Sequence, residues 1–152
     1  MVVEPDALAW VDVYVPRDDP LWASDVAEAF WWLGEAWAES LAALGVNGAE
    51  VHRDRPITTA WSSKVCFAGV GAGEVIVRGR KIVGMAQRRT RAGAMFQCAA
   101  LVQWDAQRLL DVLALSESER KEGAAALAGA AAGVGPAAGV DDLERSLVSH
   151  LP

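Results

Sequence analysis

The sequence predicts an α/β (α+β) domain, with strands and helices mixed along the chain. Three observations predict it. Leu8 to Val15 alternates with period two, Asp25 to Leu44 carries a helical apolar stripe, and Glu74 to Trp104 packs three β-like runs around two turn signals. The chain has 152 residues, 53% of them hydrophobic, so one domain can bury a core of its own.

In Leu8 to Val15, Leu8, Trp10, Asp12 and Tyr14 share one face. Ala9, Val11, Val13 and Val15 share the other, which gives a strand with one strongly apolar face. Asp12, between two aromatic residues, is a solvated strand residue or a ligand contact. Pro16 and Pro20 bracket the loop that follows. Asp25 and Glu28 have capping-box spacing, and Val26, Phe30, Leu33, Trp37, Leu41 and Leu44 recur at three- and four-residue intervals. Gly45 is a natural helix stop. Ala49 to His52 reads as a short strand, and Trp61 to Phe67 leads into another. Gly69, Gly71 and Gly73 then form a glycine loop without the terminal Gly-Lys-Ser/Thr of a Walker motif; it is a flexible turn or a backbone cradle for phosphate.

Val75 to Val77 is a β-branched run, and Gly79 permits a tight reversal into a second strand. Strict alternation there puts Lys81, Val83, Met85, Gln87 and Arg89 on one face. Gly84, inside a strand, marks a bulge or a close backbone approach. Met95 to Trp104 is apolar on both faces and therefore central. A helix follows Asp105, another starts near Ser116, Gly123 to Gly139 reads as a partly ordered Ala/Gly-rich linker, and Asp141 to Leu151 is a closing helix.

Arg78, Arg80, Lys81, Arg88, Arg89 and Arg91 lie close together in a chain of net charge −6. Such a local excess predicts an anion site, while the acidic balance argues against a general nucleic-acid binder. No run of eighteen strongly apolar residues predicts a membrane span, and the N-terminus does not read as a signal peptide. Cys66 and Cys98 are the only cysteines, and with the rest they predict a cytoplasmic protein holding two thiols in apolar strands. Neither histidine sits in a cluster with zinc spacing.

The stretch GRKIVGMAQRR, followed by an apolar strand and Asp105, resembles the lysine motif of the lipoate–protein ligase A family, within the biotin/lipoate ligase superfamily. Gly79, Arg80, Lys81, Ile82, Gly84, Ala86, Gln87, Arg88 and Asp105 match G-[RK]-K-[IV]-x-G-x-A-[QY]-R and its downstream Asp. The resemblance runs from about Ala9 to about Leu115. It implies a class II synthetase-like, mainly antiparallel sheet with flanking helices. The implied chemistry is ATP-dependent activation of lipoate or a related medium-chain acid, octanoate included, then transfer to a lysine of a lipoyl-acceptor domain. Lys81 would contact the carboxyl of the acid and the phosphate of its adenylate. Gly71, Gly73, Glu74, Gly84, Gln87 and Arg88 would line the substrate and nucleotide, with Glu74 near Mg2+.

The same resemblance divides the chain into a partial catalytic domain, 1–115, and a helical, Ala/Gly-rich extension, 116–152. The family's R-R-x-x-G-G-G segment precedes the strand matched by Leu8 to Val15, so the domain is expected to lack its N-terminal strands and to present a sheet edge open to association. Residues 1–152 alone are then expected to form little or no lipoyl-adenylate. Two other readings stand beside the ligase: a non-catalytic interaction homologue, and an octanoyl or lipoyl transferase using a cysteine thioester. Against the last, the C-x-x-H-G nucleophile stretch of the B-type transferases is matched here by Ala94 and Gln97, leaving Cys66 as the candidate.

Overall fold

The computed structural model describes residues 6–152. Among them, five strands form one antiparallel sheet in the order β1-β5-β4-β3-β2, flanked by four α-helices. The strands are β1 (Leu8–Pro16), β2 (Ala49–Val51), β3 (Val75–Val77), β4 (Arg80–Arg89) and β5 (Gly93–Leu101). The helices are α1 (Trp31–Ala43), α2 (Ala106–Val112), α3 (Glu117–Leu127) and α4 (Val140–His150). The apolar run after Arg91 is central as expected, with β5 paired to both β1 and β4. None of these helices is long and apolar enough to cross a membrane.

The apolar face of β1 packs as its alternation requires. Ala9 and Val15 join Val83, Phe96, Cys98 and Ala100 beneath α1 and α4, which contribute Leu33, Trp37, Leu41, Leu143 and Leu147. The other sheet face is covered only at one end, by a second cluster of Val65, Ala68, Leu110 and Leu127 with Trp61 and Trp104 packed against it. Its far end, around Asp12, Tyr14, Arg88 and Gln97, lines an open cleft.

Several expectations are corrected. The helix predicted from Asp25 begins as a 3-10 turn, Glu28–Phe30, and becomes α-helical at Trp31. Asp25 does cap it, accepting from Ala27 N and Glu28 N, but Val26 is exposed and not part of the stripe. Trp61 to Phe67 is no strand; it turns and ends in the 3-10 turn Cys66–Ala68, because its apolar residues fill the second cluster and do not alternate. Residues 116–152 are built into the body of the domain, with Leu143 and Leu147 fully buried in the main core. The Ala/Gly-rich stretch is ordered backbone: Ala132 N donates to Lys81 O, and Gly133 lies so close to Val102 that a Cβ would collide with its carbonyl oxygen.

The strict alternation expected in β4 is broken by one residue. Val75 pairs with Val83, but the next residue, Ile76, pairs with Lys81, leaving Ile82 extra in a β-bulge. The extra residue inverts the parity before it. Val83, Met85, Gln87 and Arg89 face α1 and the loop before it, while Lys81 shares the opposite face with Gly84, Ala86 and Arg88.

Candidate functional site

The bulge delivers Lys81 to a closed compartment between the sheet and the 3-10 turn Cys66–Ala68. Its Nζ lies 3.0 and 2.9 Å from Glu74 Oε1 and Oε2 and donates to the Cys66 carbonyl at 2.6 Å. The Phe67 ring covers it, 4.9 Å from Nζ to the ring centre, a cation–π distance. Lys81 is 3% exposed and Glu74 6%, so the ion pair is dry.

Glu74 is fixed from three sides. Besides Lys81, Oε1 accepts from Met85 N at 3.0 Å, and Oε2 accepts from Gly71 N at 2.6 Å. The bulge leaves the Met85 amide free to reach it. Gly73, at φ +79°, makes the turn that carries Glu74 under the sheet, and its N–H bonds to His52 O. Gly84 is the predicted close approach: a Cβ there would meet Phe67 Cζ at 3.3 Å and both Lys81 Cε and Glu74 Oε1 at 3.6 Å. The sequence-predicted residues Gly71, Gly73, Glu74, Lys81 and Gly84 therefore converge.

The rest do not. Gln87 is on the helix-covered face, its Oε1 taken by Arg89 Nε and its buried Nε2 without a partner. Arg88 stands on the open face, lining the far cleft with Asp12 and Tyr14. The cation cluster disperses as well. Arg89 bonds to the carbonyls of Ala23, Ser24 and Asp25 and stacks over Trp22, a structural tie of the loop after β1.

A cavity of about 380 Å3 has in its lining Cys66 and Phe67, the two turn residues that touch the Lys81 ammonium. Leu8, Trp10, Phe67, Leu101, Trp104 and Leu109 are among the residues that line it. Sequence reasoning missed this chamber, because its walls come from β1, β5, α2 and a segment read as a strand. Its one signal was the aromatic pair Trp10, within the first strand-like run, and Trp104, at the end of the last. Cys66 is exposed at this cavity, whereas Cys98 is sealed in the core, where burial pushes its thiol up to about 12. Among the described residues, no three of His, Cys, Asp and Glu stand close enough to hold a metal ion.

Comparison with known proteins places this geometry. Residues 9–142 match the model of the lipoyl protein ligase A/B catalytic domain. Among curated proteins, the chain is 22% identical over 145 residues to octanoyltransferase LipM of Clostridioides difficile, covering 91% of this chain and 53% of that protein. It is 29% identical over 114 residues to octanoyltransferase LipM of Lysinibacillus sphaericus, covering 72% and 41%. Among solved structures it shares the fold of lipoate-protein ligase A bound with ATP, at TM-score 0.60 and 23% identity over 93% of this chain and 49% of that one. It also shares the fold of the bi-partite lipoate protein ligase from Thermoplasma acidophilum, described with its E2 lipoyl domain, at TM-score 0.65 and 19% identity, covering 96% and 49%. The chain thus spans about half the length of the relatives it matches. With the match covering most of its length, and the lysine, glycine and acidic residues of the motif brought into one compartment, the chain belongs to the lipoyl protein ligase A/B catalytic domain family.

Proposed function

We propose that this chain supplies the acyl-binding part of a site for ATP-dependent activation of a medium-chain carboxylic acid, octanoate or lipoate, and its transfer to a lysine of a lipoyl-acceptor domain, with little adenylate formed by residues 1–152 alone. The observation that carries this reading is the apolar cavity ending at the Cys66–Phe67 turn, with the Lys81 ammonium touching that turn. Its volume is within the roughly 300–1,000 Å3 of small-molecule sites, and its walls suit a hydrocarbon chain. The carboxyl end of such a chain would point at Lys81, whose charge is well placed to stabilise negative charge growing on carboxyl and phosphate oxygens. A carboxylate oxygen of the acid would displace pyrophosphate from ATP to give the acyl-adenylate, a mixed anhydride, and the acceptor lysine amine would then displace AMP to form the amide. The relatives' names support the substrate class: octanoyltransferases among the curated proteins, a lipoate ligase with ATP among the structures.

A second reading has its own support. Cys66 is exposed at the cavity, and the curated relatives are octanoyltransferases, so the acyl group could be held as a thioester on Cys66 with no nucleotide. One experiment separates the two. Pyrophosphate release from ATP that depends on octanoate or lipoate supports the ligase. A hydroxylamine-sensitive octanoyl adduct on Cys66 after incubation with an octanoyl-carrier protein, without ATP, supports the transferase. If octanoate also fails to quench Trp10 and Trp104 fluorescence saturably, the acyl-binding reading itself is wrong.

A further inference from the structure

We infer that Glu74 positions Lys81 and is not a magnesium ligand. This assignment of Lys81 as the carboxyl contact rests on the proposed function; the exclusion of magnesium at Glu74 does not. An ionised carboxylate offers about four acceptor sites on its two oxygens. Here Oε1 takes Lys81 Nζ and Met85 N, and Oε2 takes Lys81 Nζ and Gly71 N, so both oxygens are occupied by donors inside the fold. Magnesium demands near-octahedral oxygen coordination and holds several waters. It would have to enter a compartment with 6% of Glu74 exposed, displace those donors and settle against an ammonium already 2.9 Å from the same oxygen. Among the described residues, no group of three His, Cys, Asp or Glu side chains stands there to repay that repulsion.

The same contacts define what Glu74 does. An ammonium has three N–H donors. Glu74 holds one side of it across both carboxylate oxygens, and the opposite direction is fixed on the Cys66 carbonyl. That carbonyl belongs to the turn that walls the cavity. The donor on Cys66 O is the one that can pass to a ligand without breaking the buried pair. An acid entering the cavity replaces the Cys66 carbonyl as acceptor, the turn Cys66–Ala68 shifts, and Glu74 keeps the ammonium aimed at the incoming oxygen throughout.

Two measurements on the full chain test this. In 15N-labelled protein, millimolar Mg2+ is expected to leave the amide signals of Gly71 and Met85 unmoved, and octanoate is expected to move those of Phe67 and Ala68. A saturable Mg2+ shift at Gly71 and Met85 would overturn the assignment. In binding assays, Glu74→Gln is expected to weaken octanoate by about tenfold or more, the size of a lost hydrogen bond to a charged group, while 1-octanol binds as in wild type. A merely structural role would weaken both alike, and unchanged or tighter octanoate binding would equally sink the idea, the latter because a Glu74 that only neutralises Lys81 competes with the acid for its charge. Should Glu74→Gln not fold, Glu74→Asp keeps the charge but draws it back one methylene, and the same octanoate-over-octanol selectivity loss is expected. If wild type binds no octanoate, the proposed function fails, and the Mg2+ arm still judges Glu74.

Discussion

Substituting Lys81 by Met removes one partner of a buried ion pair and keeps most of the side-chain volume. The pair's side chains are 4% and 8% exposed, so the Glu74 carboxylate left behind cannot be rescued by bulk water. At an effective dielectric constant near 20, two unit charges about 3 Å apart attract by roughly 5 kcal/mol. Breaking a buried pair by deleting one member costs about 3–5 kcal/mol. The Gly71 and Met85 amides still solvate the carboxylate, which argues for the lower end, about 3 kcal/mol. For a domain of this size that is a fall in Tm of about 6–12 °C. The double variant Lys81→Met, Glu74→Gln leaves no unpaired charge and should regain part of the loss, short of wild type because the Gln amide nitrogen faces Gly71 N or Met85 N and leaves a buried donor unmatched. Thermal and urea unfolding followed by circular dichroism at neutral pH reads all three proteins. A Lys81→Met variant melting within about 2 °C of wild type would refute the argument, as would a double variant no more stable than the single. The family resemblance gives Lys81 a substrate contact, whereas the structure also makes it half of a sealed pair, so its truncation bears on the fold as well.

Two further outcomes follow from other contacts. Glu119 is held down to about 2 from its ordinary 4.5, first by Lys64 and then by the Ser116 N–H and hydroxyl. Its folded value is depressed, so its stabilisation is present above about 4.5 and lost as pH falls towards 2. The Tm difference between wild type and Glu119→Gln should therefore be constant above pH 5 and shrink to nothing near pH 2; a difference independent of pH would count against the pairing. The cysteines should separate cleanly under a thiol reagent at pH 8. Cys66 should react at once and more slowly with octanoate present, and Cys98, with its thiol pushed up to about 12 by burial, only when the protein unfolds; two equally fast thiols would contradict the placement of Cys98.

Much of the framework was legible because it rests on local pattern. The alternation of β1, the Gly79 reversal, the apolar run of β5, and the caps at Asp25, Asp105 and Ser116 each depend on neighbours a few residues away. The acid–glycine–lysine set was named through the resemblance to the ligase motif, and it converges because that motif lies in one hairpin and the loop before it. The chamber beside it was not, since Leu8, Phe67, Leu101 and Leu109 come from four separate segments. Gln87 and Arg88 lie apart from the set for a third reason. They are contiguous with the motif, but a strand sends neighbours to opposite faces, and neither of those places is the compartment of Lys81.

The bulge at Ile82 ties these outcomes together. Strict alternation puts Lys81 beside Val83, under α1, where an ammonium would meet the main apolar core. Ile82 and Val83 are both core residues, 1% and 0% exposed, and two adjacent buried apolar residues cannot both be satisfied by an unbroken two-residue period. Inserting one residue lets both face the core and turns Lys81 to the other side, opposite Ile76 and towards Glu74. The same step frees the Met85 amide for the carboxylate and places Gly84 where a Cβ would press on Phe67 and Lys81. The sequence therefore contained the signal, in Ile82-Val83 followed by Gly84, but its meaning depends on the register with β3. A substitution that makes Ile82 polar acts on this register before it acts on the lysine, because the apolar demand on both residues is what holds the bulge in place.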